Sequence, residues 1–470
     1  MVTTNNLDVV VGGGIAGLLA ALLMAEKFGR KVVLIERENH IGGVLRCFNY
    51  KQYGVFDYGM HNMYETGITA LDELLFGLLP KDDWQILERR ARDLAGAVFN
   101  GVVQHNSPFP DLRSLPRQQW ESCVLGFFRQ LEIPHSQSHN NAWEDVNTRF
   151  GSAIVEVIDA VLRKQFGKPS RELAPFATHL TTLSRVVMFS EEPFKNLIES
   201  STLRDRLAWP EQRTLPAHWE SGRKAYYPRE YGIYRVIDAL RARLQASGVE
   251  ILTSSQVKSL DIAGGRVKSV TVEHGGGKKQ IAVHKLIWTS GLPAVSELLG
   301  LDLSDYHFDR PRKTVVVNLL LSHPPQMGDL YYLYCYDARC HAFRITNFTG
   351  YCEAAPRAGG WPIAVELLLD APLPNEGVMK SVALEELRRF GIIVTDDDVI
   401  FAAVEPLATG FPMPTVNNCN VLTDVRARIA ATNIANLILL GILSEENIFF
   451  QRDVLSQVWN KLIQQEMHNA

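Results

Sequence analysis

The residues best placed to do chemistry stand near the start of the chain. Gly12-Gly13-Gly14-Ile15-Ala16-Gly17 follows the apolar run Val9-Val10-Val11, so a G-x-G-x-x-G turn (Gly12, Gly14, Gly17) leads from a strand into a helix. A second strand, Lys31 to Glu36, ends in a carboxylate 19 residues beyond Gly17. Each position has a physical task. Gly12 makes the tight turn, Gly14 lets a pyrophosphate approach the backbone, Gly17 lets helix and strand pack closely, and Glu36 accepts the ribose hydroxyls. The first helical amides, at Ile15 and Ala16, have no partner inside the helix and point with its positive dipole end at the phosphates. A glycine-rich turn alone is common. The helix expected over 15–28 is apolar nearly all round (Leu18, Leu19, Leu22, Leu23, Met24), as a helix lying on a sheet must be, and Gly29 stands where a left-handed cap belongs. Strand, helix, strand and acid together mark a dinucleotide-binding unit.

The segment that follows narrows the ligand. Glu36-Arg37 is followed after four residues by Gly42-Gly43 and then Val44-Leu45-Arg46. This pattern resembles the amine oxidase-like flavoprotein superfamily, which includes protoporphyrinogen oxidases, phytoene desaturases, monoamine oxidases and UDP-galactopyranose mutases. The resemblance implies FAD, with Arg37, Gly42, Gly43, Val44 and Leu45 wrapped around its ribose and pyrophosphate. The family places a basic residue straight after the glycine pair; here Arg46 is the nearest substitute. Phe56-Asp57-Tyr58-Gly59-Met60-His61 resembles the family's Asp-x-Gly-x-His segment, which passes across the flavin ring. It implies flavin contacts from Gly59, Met60 and His61, with His61 donating to N5 or steering its reactivity. The alternative is a partly buried histidine bonded to a backbone group.

Two later stretches complete the cofactor side. After Pro228-Arg229-Glu230-Tyr231-Gly232, a helix with Ile233, Val236, Ile237, Leu240 and Leu244 on one face stops at Gly248. A β-meander follows: Gln256 to Ile262, Arg266 to Glu273, and the strand pair Gln280 to Val283 and Lys285 to Thr289, joined by glycine turns. The resemblance implies that Val257 sets its backbone against the adenine. Near the C-terminus Asn436 to Leu440 reads as a strand ending at Gly441, and Phe449-Phe450 precede a last helix containing Val454. By resemblance Gly441 touches the phosphates, and the helix N-terminus points at the N1/O2 edge of the flavin, where its dipole stabilises the anion formed on reduction. The alternative is that Phe449 and Phe450 are plain core anchors, but their place near the C-terminus favours the flavin side.

At 470 residues the chain exceeds one simple core. The expected fold is α/β: a Rossmann-like FAD-binding domain with a β-meander (1–95, 228–300 and 418–470), plus a mixed α+β substrate domain inserted in two pieces (96–227 and 301–417). The first piece reads as helices at Trp120 to Leu131, Ile154 to Phe166 and Phe194 to Leu207. Val161-Leu162-Arg163-Lys164-Gln165-Phe166-Gly167 resembles a segment of protoporphyrinogen-oxidase-like proteins. The second piece reads as strands at Thr314 to Leu321, Leu330 to Tyr336, His341 to Phe348, Pro362 to Leu369 and Val399 to Val404. Such a sheet roofs the flavin in the family, and Arg344 is the candidate substrate-binding arginine. The arginine excess between Arg204 and Arg243 reads mainly as solvated helix faces.

A net charge of −4 argues against a nucleic-acid partner. The first strand begins near residue 7, no run of 18 apolar residues occurs, and the six cysteines form no C-x-x-C pair. A cytoplasmic protein with free thiols, no metal and no membrane association is expected. There is no second G-x-G-x-x-G unit for NAD(P)H, so any reductant must diffuse in, and O2 or another acceptor must reoxidise the flavin. Two readings stand: hydride transfer from a small-molecule substrate to flavin N5, with His61 and Arg344 as catalytic candidates, or a mutase-like isomerisation of a nucleotide sugar without net redox change.

The cofactor reading has a direct test. The purified protein is expected to be yellow and to release FAD, not FMN, on denaturation. Gly14→Val strips the cofactor by filling the space of the pyrophosphate. Glu36→Ala weakens FAD binding by about 2 kcal/mol, the scale of a charged hydrogen bond, as measured by flavin titration.

Overall fold

The computed structural model describes residues 3–133, 138–408 and 411–469. Its first sheet has seven strands. Thr3–Val11 lies at the centre, parallel to Val32–Ile35 on one side and to Gly277–Trp288 on the other. Glu250–Leu252 extends the sheet beyond Val32–Ile35. The meander strands Ser255–Ala263 and Arg266–His274 lead into Gly277–Trp288, and Leu437–Leu439 pairs with the end of that strand. The expected pair at 280–289 is therefore one continuous strand of 12 residues. Its first half is antiparallel to Arg266–His274, and its second half is parallel to both Thr3–Val11 and Leu437–Leu439. The break expected at His284 is only a register irregularity: the pairing with Thr3–Val11 skips from Val283 to Lys285, and the His284 side chain reaches the buried Asp8 carboxylate at 2.8 Å.

Helix Ile15–Leu22 packs on this sheet with every residue from Ala16 to Leu22 buried. Helices Tyr234–Ala246 and Gln451–Asn469 cover its outer side, which explains its all-round apolar composition. The expected last turn winds instead as a π-helix, Leu23–Lys27, closed by Gly29 at φ +62°.

A second seven-stranded sheet runs in the order Val399–Pro406, Lys313–Leu321, Trp361–Leu369, Ala342–Asn347, Tyr332–Cys335, Ala95–Phe99, Val102–Gln104. Its residues alternate between two cores. Val315, Val317, Ile345, Val365 and Leu367 face helix Glu376–Arg389, while Val316, Ala364 and Tyr332 face the first sheet's core. Helices Arg117–Leu131, Ala142–Phe150 and Ser152–Phe166 form a third core beside it. The helix expected over 194–207 is two short ones, Glu191–Leu197 and Ser201–Arg204. The break falls at Ser200, whose backbone is extended at ψ 120°, so the i→i−4 ladder cannot pass through. From Ser152–Phe166, buried Lys164 donates to the carbonyls of Cys335 and Ala342 at 2.5 and 2.6 Å, pinning the hairpin that carries Tyr334 and Arg344.

Asp57 joins the short hairpin Cys47–Asn49/Val55–Asp57 to the rest. Its side chain is wholly buried. Tyr227 donates its hydroxyl to Oδ2 at 2.6 Å, the Ile233 amide donates to Oδ1 at 3.2 Å, and the Asp57 amide donates to the Tyr231 hydroxyl at 3.0 Å. Burial pushes the Asp57 carboxyl up to about 7, against the opposing pull of Tyr227, the Ile233 amide and Arg357. A carboxyl raised in the folded state contributes stability that is complete below its unfolded value, about 3.9, and is lost as pH rises through about 7. Wild type is therefore expected to lose stability relative to Asp57→Asn between about pH 4 and 7, by on the order of 4 kcal/mol. Urea denaturation of both proteins at stepped pH checks this.

Candidate active site

The glycine turn is built as its residue types require. A Cβ on Gly17 would lie 1.9 Å from the Gly12 carbonyl oxygen, so only glycine lets the helix approach the strand end so closely. A Cβ on Gly14 would meet nothing within 4 Å. Gly17 is thus a packing glycine, and Gly14 faces open space in front of the helix N-terminus, where Ile15 and Ala16 begin. Glu36 reaches back to this turn: Oε2 accepts the Gly13 amide at 2.6 Å and Oε1 accepts the Glu38 amide at 2.8 Å. Each oxygen keeps a lone pair for a ribose hydroxyl. Gly42 and Gly43 fold against the same turn, the Gly42 amide donating to the Gly13 carbonyl at 2.8 Å. Open space at Gly14, a fixed carboxylate and a double-glycine wall fit a dinucleotide.

The remaining cofactor-side candidates fall into three placements. Gly12 and Gly441 flank Thr289, and the Gly441 amide is taken by the Gln457 side chain at 3.0 Å. Val257 is buried at the start of its strand, which is held to the Glu36 strand end by Ser255 N–H donating to the Glu36 carbonyl at 2.9 Å. Arg37 and Val44 are exposed, with Arg37 paired to Glu38, whereas Leu45 and Met60 are buried. Arg46 lies over the Tyr58 ring and against His40, with its Nε buried and without a partner.

His61 and Arg344, far apart in the chain, are brought together. A Cβ on Gly59, whose φ is +101°, would lie 2.7 Å from Glu366 Oε1 and 3.5 Å from Arg344 Nη2. Cross-strand register explains the arrangement: Tyr334 sits opposite Arg344, and Arg344 opposite Glu366, on the face turned toward His61. Arg344 donates from Nε and Nη2 to the two Glu366 oxygens at 2.8 and 3.0 Å, a bidentate pair. Burial works against the Arg344 charge, but Glu366 and the neighbouring tyrosines hold its pKa above the usual range. His61 is pushed down to about 3, first by burial and then by the Arg344 charge, while its ring hydrogen bond to the Tyr58 carbonyl opposes the shift. The imidazole is therefore neutral at physiological pH.

The last helix starts beside this segment, where the Gln451 amide lies 3.3 Å from Met63 Sδ. Phe449 packs against the helical core, Phe450 is exposed, and Val454 is buried. Phe449, Phe450, Phe176, Leu180, His179 and Asp453 line a cavity of about 120 Å³. Aromatic rings continue inward from it, Phe449 to Phe411 to Phe343 to Tyr334, with centroids 5.6 to 6.2 Å apart.

Sequence reasoning missed Glu366, Tyr334, Tyr332 and Asp93. Glu366 did carry a signal: it is the one charged residue in the strand Trp361–Leu369, buried along almost its whole length. The others carried none, because only register aligns them. The six cysteines are free thiols. Among the described residues no His, Cys, Asp and Glu group is placed to hold a metal ion, and no helix is long and apolar enough to cross a membrane.

With this geometry in view, residues 10–74 match the NAD(P)-binding Rossmann-like domain family. No curated protein matches the sequence. Among solved structures, reduced UDP-galactopyranose mutase superposes with a TM-score of 0.77 at 17% identity, over 100% of this chain and 95% of the mutase. A putative protoporphyrinogen oxidase from Exiguobacterium sp. 255-15 gives 0.68 at 16% identity, over 100% of both chains. Putrescine oxidase bound to putrescine gives 0.61 at 12% identity, over 99% of both. These likenesses show that the chain has the fold these three enzymes share.

The ion pair generates a prediction. Glu366→Ala leaves the largely buried Arg344 charge unpaired and is expected to destabilise the protein by about 3 kcal/mol. Glu366→Gln keeps one acceptor and costs less. Urea denaturation of the two variants beside wild type checks the order.

Proposed function

We propose that this chain is an FAD-dependent oxidoreductase that takes a hydride from a C–H bond of a small molecule held beneath the second sheet. The observation that carries the reading is the meeting of His61, from the segment next to the glycine turn, with the Arg344–Glu366 pair of the opposing sheet. When bound, FAD would supply a hydride acceptor at flavin N5. Gly14, Gly42, Gly43 and Glu36 would hold its AMP half. His61 would face the isoalloxazine as a neutral ring, with one nitrogen able to donate and the other able to accept. Arg344, oriented by Glu366, would bind a carbonyl or anionic group of the substrate. The aromatic row from Phe449 to Tyr334 would keep water from the reacting face.

A second reading, a flavin-dependent isomerase acting on a nucleotide sugar, is supported by the higher TM-score of the fit to UDP-galactopyranose mutase than of those to the two oxidases. Anaerobic mixing separates the two. Flavin bleaching by substrate alone supports oxidation, whereas turnover only after dithionite reduction, with the flavin still reduced at the end, supports isomerisation. In either case His61→Ala is expected to shift the flavin spectrum or potential while FAD stays bound. Arg344→Lys is expected to raise KM, since an ammonium cannot reproduce the guanidinium fork. Unchanged spectra and kinetics in both variants would place the active site elsewhere.

A further inference from the structure

Beyond the Arg344–Glu366 pair, the same inward sheet face carries polar groups to which the reading above gives no task. Asp93 stands two residues before the strand Ala95–Phe99, which runs parallel to Tyr332–Cys335. It is half-buried, and Tyr332 donates its hydroxyl to Oδ1 at 2.7 Å. Tyr332 and Tyr334 meet edge to face with centroids 5.1 Å apart, and the Arg344 guanidinium lies 5.9 Å from the Tyr332 ring. On the facing segment Asn62, next to His61, is 5% exposed, and neither its Nδ2 nor its Oδ1 closes a hydrogen bond. The Tyr64 hydroxyl is near enough to feel Asn62 as a donor without closing that bond. Tyr64 also carries Arg92 over its ring at 5.9 Å, and Arg92 is itself tethered to the Ser221 hydroxyl at 3.0 Å.

We propose that Asp93 and Asn62, beside His61 and Arg344, form a recognition subsite for a neutral, hydroxyl-bearing part of the substrate. The chemistry of the donor set selects this class. A hydroxyl both donates and accepts, and Asn62 offers one group of each kind while Asp93 offers an acceptor. A buried amide with both ends unmatched costs free energy until a ligand supplies the partners. A cationic group would enter beside Arg92 and Arg344, and an anion beside Asp93 and Glu366, so charge favours neither at this point. The inference rests on the proposal that the substrate binds at His61 and Arg344.

Saturation-transfer NMR on the protein as purified, with its flavin content recorded, tests the subsite without relying on turnover. The probes are D-glucose and myo-inositol as neutral polyols, 1,4-diaminobutane as a cation and succinate as an anion. The polyols are expected to bind, with Kd raised about tenfold or more in Asp93→Ala and in Asn62→Leu, the scale of a lost hydrogen bond to a charged or buried group. Asp93→Asn, which keeps shape and one acceptor, is expected to lose less, and the flavin content of all three variants is expected to match wild type. Polyol binding that is absent, or unchanged in Asp93→Ala and Asn62→Leu, overturns the proposal, as does tighter binding of the diamine or succinate lost on Asp93→Ala. A protein that binds polyols at this subsite but no FAD would sink the flavoenzyme reading and leave the subsite standing.

Discussion

The cofactor side of the structure depends on how closely one helix can approach one strand end. A Cβ at Gly17 would lie 1.9 Å from the Gly12 carbonyl oxygen, so the approach exists only because position 17 has no side chain. That contact sets the helix N-terminus over open space at Gly14 and brings Glu36 and the Gly42–Gly43 pair into hydrogen-bond contact with Gly13. Thr289, just past the end of the strand Gly277–Trp288, closes the same turn, its hydroxyl donating to the Val11 carbonyl at 2.9 Å, and Gly441 packs against Thr289. Widening the approach by one methyl group would displace all of these together, since the interior around Leu18, Leu19 and Leu22 is fully buried and has no slack to absorb it.

The face of the second sheet that carries Arg344 depends on burial of charge. Asp57 and the Arg344–Glu366 pair are both held away from water, and each is tolerated because its partners come from different parts of the chain. Asp57 ties the hairpin before His61 to the start of the helix at Tyr234. Burial, and after it the Arg344 charge, keeps His61 neutral. Buried polar groups of this kind stabilise little on balance, but they allow only one arrangement of the elements that carry them.

Much of the cofactor side was legible beforehand, because its determinants are local. Gly12, Gly14, Gly17 and Glu36 lie within one strand–helix–strand unit, and their spacing carries the geometry. Where local reading failed, long-range contacts had intervened. Residues 277–288 form one strand, with two different sets of neighbours pairing along its two halves, and His284 finds a buried carboxylate there. The segment 194–207 breaks into two helices at an extended serine that periodicity does not reveal.

The sequence by itself determined that a dinucleotide turn opens the chain, and it singled out His61 and Arg344 as chemically apt residues. It could not show that they meet. That was decided by the tertiary structure: the register of Tyr332–Cys335, Ala342–Asn347 and Trp361–Leu369 puts Tyr334, Arg344 and Glu366 in one row, and the packing of that face on residues 59–64 brings the row to His61. The physical reason is the period of two along a strand. It fixes which residues share a face once pairing is known, but says nothing of which strands will pair.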